Sequence, residues 1–160
     1  MNHWLMKSEP SCFSIDDLNN APLKTTSWDG VRNYQARNFM IKDMQIGDRV
    51  FFYHSNTKKP GIVGIAEVCS RAYPDHTAFD PDSEHPDPQS SPDKPRWFMV
   101  DVRFVEKFAN PVFLHELKHH PALENLLILR KGNRLSIVPV GLDEWDYILQ
   151  LAAQPSGVFK

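Results

Sequence analysis

The sequence predicts an α+β domain organised round a small curled sheet or barrel, and three observations carry that reading. Residues 50–53 (VFFY) and 61–68 (GIVGIAEV) are runs of β-branched and aromatic residues parted by a polar turn, the pattern of a hairpin. Val100, Val102 and Phe104 alternate with Asp101 and Arg103, which is the period of a half-buried strand. Five or six strands in all, with glycines at 61 and 64 bending the hairpin, favour a curled sheet over a doubly wound layer.

The other elements follow in order. Residues 4–7 form a short apolar run closed by Pro10, a first strand. Ser14 with Asp17 three residues on reads as a helix start, and the helix runs to about 20. The stretch 21–32, with Pro22, Trp28 and Gly30, is irregular. Phe39, Met40 and Met44 recur at helical spacing behind Asn33, a natural cap, so 33–44 is helical until Gly47-Asp48 turns the chain. Residues 74–95 hold six of the 13 prolines, six acids and one lysine, and read as a long surface loop. Short helices interrupted by Pro121 fill 111–129, a last strand 134–140, and a final helix 142–151 with Trp145, Ile148 and Leu149 on one face. Residues 1–152 make one domain and 153–160 a flexible tail.

Composition narrows the function. With 160 residues, 41% hydrophobic and 24% charged, the chain suits a single globular domain. A net charge of -2 excludes a histone-like coat on nucleic acid and limits any such affinity to a modest, salt-sensitive one. There is no run long enough to span a bilayer, no basic-then-apolar leader, and only Cys12 and Cys69, so a reduced, cytoplasmic setting without membrane contact is expected.

Catalytic motifs are weak. His115-Glu116-Leu117-Lys118-His119 matches H-E-x-x-H, but Pro121 cuts the helix short and Lys118 and His120 crowd it, so no metal is expected. No nucleophile elbow and no phosphate-cradling glycine loop occurs, which leaves no cofactor to propose. Cys69, ending an apolar strand, reads as a core residue.

What remains is recognition chemistry. Trp28, Tyr34, Tyr53 and Trp97 stand at turn-adjacent positions, accompanied by Lys7, Ser8, His54, Ser55 and Asn56 at strand ends. Flat apolar walls with a few directed polar groups suit a planar heterocycle, and a flipped base needs an enclosed slot. Arg32, Arg37, Arg130, Lys131 and Arg134 are available for flanking phosphates. Trp4 and Trp145 read as core, whereas Trp28 and Trp97 read equally well as site or core.

Five collinear segments, WLMKSEP (4–10), WDGVRNYQARN (28–38), FFYHSN (51–56), GIVGIAE (61–67) and RKGNRLS (130–136), together with AYPD (72–75) and PRW (95–97), resemble the EVE domain family over nearly the whole chain. The resemblance implies a PUA-like small mixed β-barrel flanked by helices, kinship to the methyladenine-reading YTH domains, and a non-enzymatic reader of a modified base, such as 5-methylcytosine or a related mark in DNA or RNA. It places the pocket at Lys7 and Ser8, at Trp28, Gly30, Val31, Arg32, Asn33 and Tyr34, at Tyr53, His54, Ser55 and Asn56, and at Trp97. On that reading Trp28 and Trp97 converge on one cavity as walls for the base, and Asn33, Ser55 and Asn56 meet its edge. The chain is then a monomer whose partner is a modified DNA or RNA base. Two rival readings are an enzyme acting on a modified nucleoside or RNA through Lys7, Glu9 or His54, and a protein adaptor working through the acidic loop 74–95.

Overall fold

Alternation along the central strands divides the apolar residues between two faces of one sheet. In Arg49–His54 (β3), Val50 and Phe52 join one cluster of buried side chains while Phe51 and Tyr53 join another. His3–Ser8 (β1) does the same with Trp4 and Met6 against Leu5. The computed structural model describes residues 1–154, so all but two residues of the expected tail lie outside the described residues.

Thr25–Ser27 (β2), Gly61–Val68 (β4), Asp101–Phe113 (β7) and Ile137–Val140 (β8) complete a six-stranded sheet in the order β2-β7-β4-β3-β1-β8, curled into a half-barrel. β1 lies parallel to β3 and antiparallel to β8, and every other neighbouring pair is antiparallel. Tyr73–Pro74 (β5) and Phe98–Met99 (β6) pair separately at the two ends of the proline-rich loop.

Helices close both faces. Ile15–Asn20 (α1) starts at Ser14, whose Oγ accepts the Asp17 N–H at 3.1 Å while Asp17 Oδ2 accepts the Ser14 N–H at 2.8 Å, the reciprocal capping expected of that spacing. Tyr34–Asn38 (α2) is capped by Asn33 Oδ1, which accepts the Ala36 N–H at 3.0 Å, and runs on as a π-helical turn, Phe39–Asp43. Leu114–Leu117 (α3) is a single turn, and Leu142–Ala152 (α4) lays Trp145 on Phe51 with ring centroids 3.7 Å apart. Trp4 and Trp145 are core, as expected, and Trp4 Nε1 donates to the fully buried Asp48 at 3.0 Å. Among the described residues no helix is long and apolar enough to cross a membrane.

Four expectations need correction. The stretch 21–32 contains β2, a three-residue polar edge strand with no apolar alternation to announce it. The strand at 100–104 runs on to Phe113, because β4 pairs with it along its length through two register shifts, so 111–113 is strand and not helix. The proline-rich loop is not wholly at the surface, since its Asp75 is completely buried. Cys69 is half-buried rather than core.

The hairpin glycines answer to strand contact. A Cβ on Gly61 would lie 2.6 Å from the Val112 carbonyl oxygen, and one on Gly64 would sit on the Glu106 carbonyl oxygen and press Ile15 Cδ1 at 3.1 Å. Gly64→Ala is therefore expected to cost about 1–3 kcal/mol through forced backbone shifts. Urea denaturation checks it, and an unchanged midpoint would mean that β7 yields freely.

Candidate nucleic-acid interface

The last residues of β1 and β2 and those just after them face the proline-rich loop. There they line a half-open cavity of about 540 Å³. Lys7, Ser8, Glu9, Cys12 and Phe13 form one side, and Thr26, Ser27, Trp28, Asp29 and Gly30 the other, with Glu84 and His85 of the loop across the rim.

Trp28 sits at the junction of core and cavity. Its backbone N–H donates to the Val100 carbonyl at 2.8 Å, and its ring meets Phe52 edge-on with centroids 5.5 Å apart. It is 8% exposed and lines the cavity. The indole N–H of Trp97 donates to Asp87 at 2.6 Å, as that of Trp4 does to Asp48, whereas no acceptor meets that of Trp28 among the described residues. Lys7 is half-buried in the opposite wall, and desolvation lowers its pKa.

A buried clamp fixes the wall behind Trp28. Asp75 accepts the Gly30 N–H at 2.8 Å, the Thr77 N–H at 2.9 Å and an Arg32 Nη1–H at 3.0 Å. Burial alone would raise its pKa, but the hydrogen bond from the Thr77 hydroxyl, together with those from Gly30, Arg32 and the Thr77 N–H, outweighs burial and holds it below the ordinary carboxylate value. Arg32 also donates to the His85 carbonyl at 2.6 Å, which ties the loop to the wall. Its Nε is buried without a partner among the described residues. Gly30 has φ +77°, and a Cβ there would meet the His85 ring at 2.7 Å, so only glycine allows the loop this close.

The structure thus brings Lys7, Ser8, Trp28 and Gly30 of the expected pocket round one cavity. Trp97 is not among the residues lining it. Trp97 instead stacks on Tyr34 at 4.9 Å, with the Arg32 guanidinium 5.7 Å from its ring and that of Arg37 4.7 Å from the Tyr34 ring. The expected convergence of Trp28 and Trp97 on one cavity is therefore replaced by two neighbouring aromatic surfaces joined through Arg32. Tyr53 belongs to the cluster on the other face of the sheet, and burial pushes its phenol up to about 12. Val31 is core and Asn33 caps α2. His54 Nε2 accepts the Ile15 N–H at 3.1 Å, so its ring is neutral there, and burial lowers its pKa. Ser55 bonds to the Ser8 carbonyl and Asn56 to Glu9, which splices the ends of β1 and β3.

Among the candidate phosphate contacts, Arg37 is spent on Asn38 and the Arg96 carbonyl. Arg130, Lys131 and Arg134 are exposed, and none pairs with a carboxylate among the described residues. Their turn leads to Ser136, whose carbonyl accepts the Lys7 N–H of β1 at 2.8 Å. Cys12, Phe13, Thr26, Ser27, Asp29, Glu84 and His85 also line the cavity without a sequence signal for it, and bonds from Gly30 to Asp75 and from Arg32 to the His85 carbonyl set the wall and loop there. Of the H-E-x-x-H motif, α3 ends at Leu117 and leaves His119 outside the helix.

A curled half-barrel sheet with a cavity walled by tryptophan, and carrying one lysine and three carboxylates in its lining, offers a small flat ligand an apolar face and directed polar contacts. The EVE domain model matches residues 2–151, and the chain belongs to that family. It is 47% identical to human thymocyte nuclear protein 1 over 94% of this chain and 73% of that protein. A hypothetical protein from Leishmania major superposes with a TM-score of 0.89 at 50% identity, covering 95% of this chain and 94% of the other. The human THYN1 protein, in complex with 5-methylcytosine-containing DNA, superposes with a TM-score of 0.92 at 44% identity over 97% of this chain and 99% of the other.

Proposed function

We propose that this protein binds nucleic acid and reads a modified base, 5-methylcytosine or a related DNA or RNA modification, in the cavity beside Trp28, without chemical change to the base. The observation that carries the reading is the cavity itself. At about 540 Å³ it lies within the range of small-ligand sites, and one wall is an indole whose N–H meets no acceptor among the described residues. The similarity to a protein crystallised with 5-methylcytosine-containing DNA extends over almost the full chain and supports the same ligand class.

Trp28 walls the base and Lys7 donates to an acceptor on its edge. Tyr34, 53% exposed and backed by Trp97, offers a second flat surface to a neighbouring base. Arg130, Lys131 and Arg134 hold phosphates beside the β1 end of the cavity. His54, Ser55, Asn33 and Asn56 frame the walls through the hydrogen bonds already described.

Titrating oligonucleotides that carry one 5-methylcytosine or one cytosine, by fluorescence anisotropy, tests the reading. Tighter binding of the methylated strand is expected, and Lys7→Met should weaken it about tenfold, the scale of one charge-assisted hydrogen bond. Equal affinity for both strands sinks the reading. Chromatography of the recovered strand should show it unchanged, and steady turnover would move the function to an enzyme at the same cavity.

A further inference from the structure

We propose that Asp29 is the residue that separates 4-amino pyrimidines from 4-oxo pyrimidines, so that the cavity takes cytosine-type bases and rejects thymine. The proposal rests on the base-reading function above and adds its specificity element.

A reader of 5-methylcytosine faces one close competitor. Thymine is as flat and carries the same methyl group at C5, so neither stacking nor a methyl-sized space separates them. The two rings differ at C4, an amine donor in one and a carbonyl acceptor in the other, and at N3, which accepts in cytosine and donates in thymine. Discrimination therefore needs an acceptor facing C4, and buried polar groups left unpaired by the wrong ligand make such discrimination steep.

The wall offers one acceptor in the right state beside the indole. Asp29 follows Trp28 in the chain and lines the same cavity. Among the described residues its carboxylate receives no hydrogen bond and makes no ion pair. The other carboxylates of the wall and behind it are committed: Glu9, on the facing side, accepts from Asn56 at 3.0 Å and from the Cys12 thiol, and Asp75 accepts from Gly30, Thr77 and Arg32. Partial burial, and next the Asp75 carboxylate, raise the Asp29 pKa, against the opposing pull of His85, Arg32 and His76. A carboxylate so placed gains from a donor brought by the ligand. Lys7 on the facing side supplies the complementary donor, which suits O2 or N3 of cytosine. A thymine in the same slot would set its O4 lone pairs against the carboxylate, a repulsive element as well as a missing bond. Glu84 also lies at the rim, but it stands on the loop rather than next to the indole.

The test uses single strands identical except for one central 5-methylcytosine, cytosine or thymine, which removes the differing cost of opening a base pair. The wild-type protein should bind the 5-methylcytosine strand about tenfold or more tighter than the thymine strand, the discrimination of one good base-edge contact. Asp29→Asn presents an amide that rotates to accept or donate, and it should bring the two strands together. Because Asp29 is exposed, this variant keeps the fold, and a matching thermal melt verifies that. Glu84→Gln should keep the wild-type ratio. An Asp29→Asn protein that retains the ratio, or a Glu84→Gln protein that loses it, overturns the assignment. A wild type that binds 5-methylcytosine and cytosine alike, both above thymine, upholds Asp29 and defeats methyl reading. A wild type indifferent to all three defeats both.

Discussion

Replacing Asp75 with alanine is expected to remove about 3–5 kcal/mol of stability, the usual cost of breaking a buried pair from one side. Asp75 is fully buried and receives the Gly30 and Thr77 amides and the Arg32 guanidinium. Alanine would leave those donors facing a void, with Arg32 already carrying one buried nitrogen that finds no partner among the described residues. Urea denaturation at neutral pH measures the loss. Asp75→Asn should fall between, since one oxygen can still accept while the charge partner is gone. The pH profile gives the sign independently. The folded carboxyl titrates below its unfolded value of about 3.9, so its stabilisation is complete above that value. It disappears as pH falls through the lower, folded value. The wild type should therefore lose stability below about pH 4 through this group, and the alanine variant should lack that component. A variant as stable as wild type, with the same acid limb, would show that the clamp contributes nothing.

Trp28→Ala is expected to cost a similar amount, about 3–5 kcal/mol, as for other buried aromatic truncations. The same change should abolish preference for a modified base, because the side chain packs on Phe52 and also walls the cavity. Stability and binding must be read apart. Trp28→Phe keeps a ring over Phe52 at a smaller volume, so it should stay folded at room temperature. It should still lose about tenfold in base affinity as the stacked area shrinks. Calorimetry and anisotropy on the same preparation check both halves. A folded Trp28→Phe protein with undiminished preference would remove the indole from the site.

How much of this was legible from sequence depends on which force sets each feature. β3, β4 and the first half of β7 announce themselves by β-branched and aromatic runs, and Ser14 and Asn33 by their capping chemistry, because those are local signals. β2 is three polar residues that become a strand only when β7 lies alongside. β7 passes through Val105, Glu106 and Lys107, three successive exposed residues that break the apolar alternation before the buried Phe108 and Val112. The cavity divides in the same way. Trp28 and Lys7 could be picked out as residue types near turns. Tyr53 is displaced by one step of alternation, which sends it to the face opposite Phe52. Trp97 is drawn aside by Asp87, ten residues away in the loop, and Asp29 is singled out only once Asp75, 46 residues on, has claimed the donors around it. The partners of polar side chains over such separations leave no periodicity in the chain.

The position of β1 bears on how the protein is made. Its six residues lie between β3 and β8, so the opening segment is sandwiched by a strand near residue 50 and another near 140. Such long-range pairing is slow to form, since the chain between must be gathered first. On the ribosome, β1 can find β3 early but must wait for almost the entire polypeptide before its second edge is covered. Until then a strand with the apolar triplet Trp4, Leu5 and Met6 presents an open border, and nascent chains stalled before residue 137 should be the ones that holdase chaperones retain.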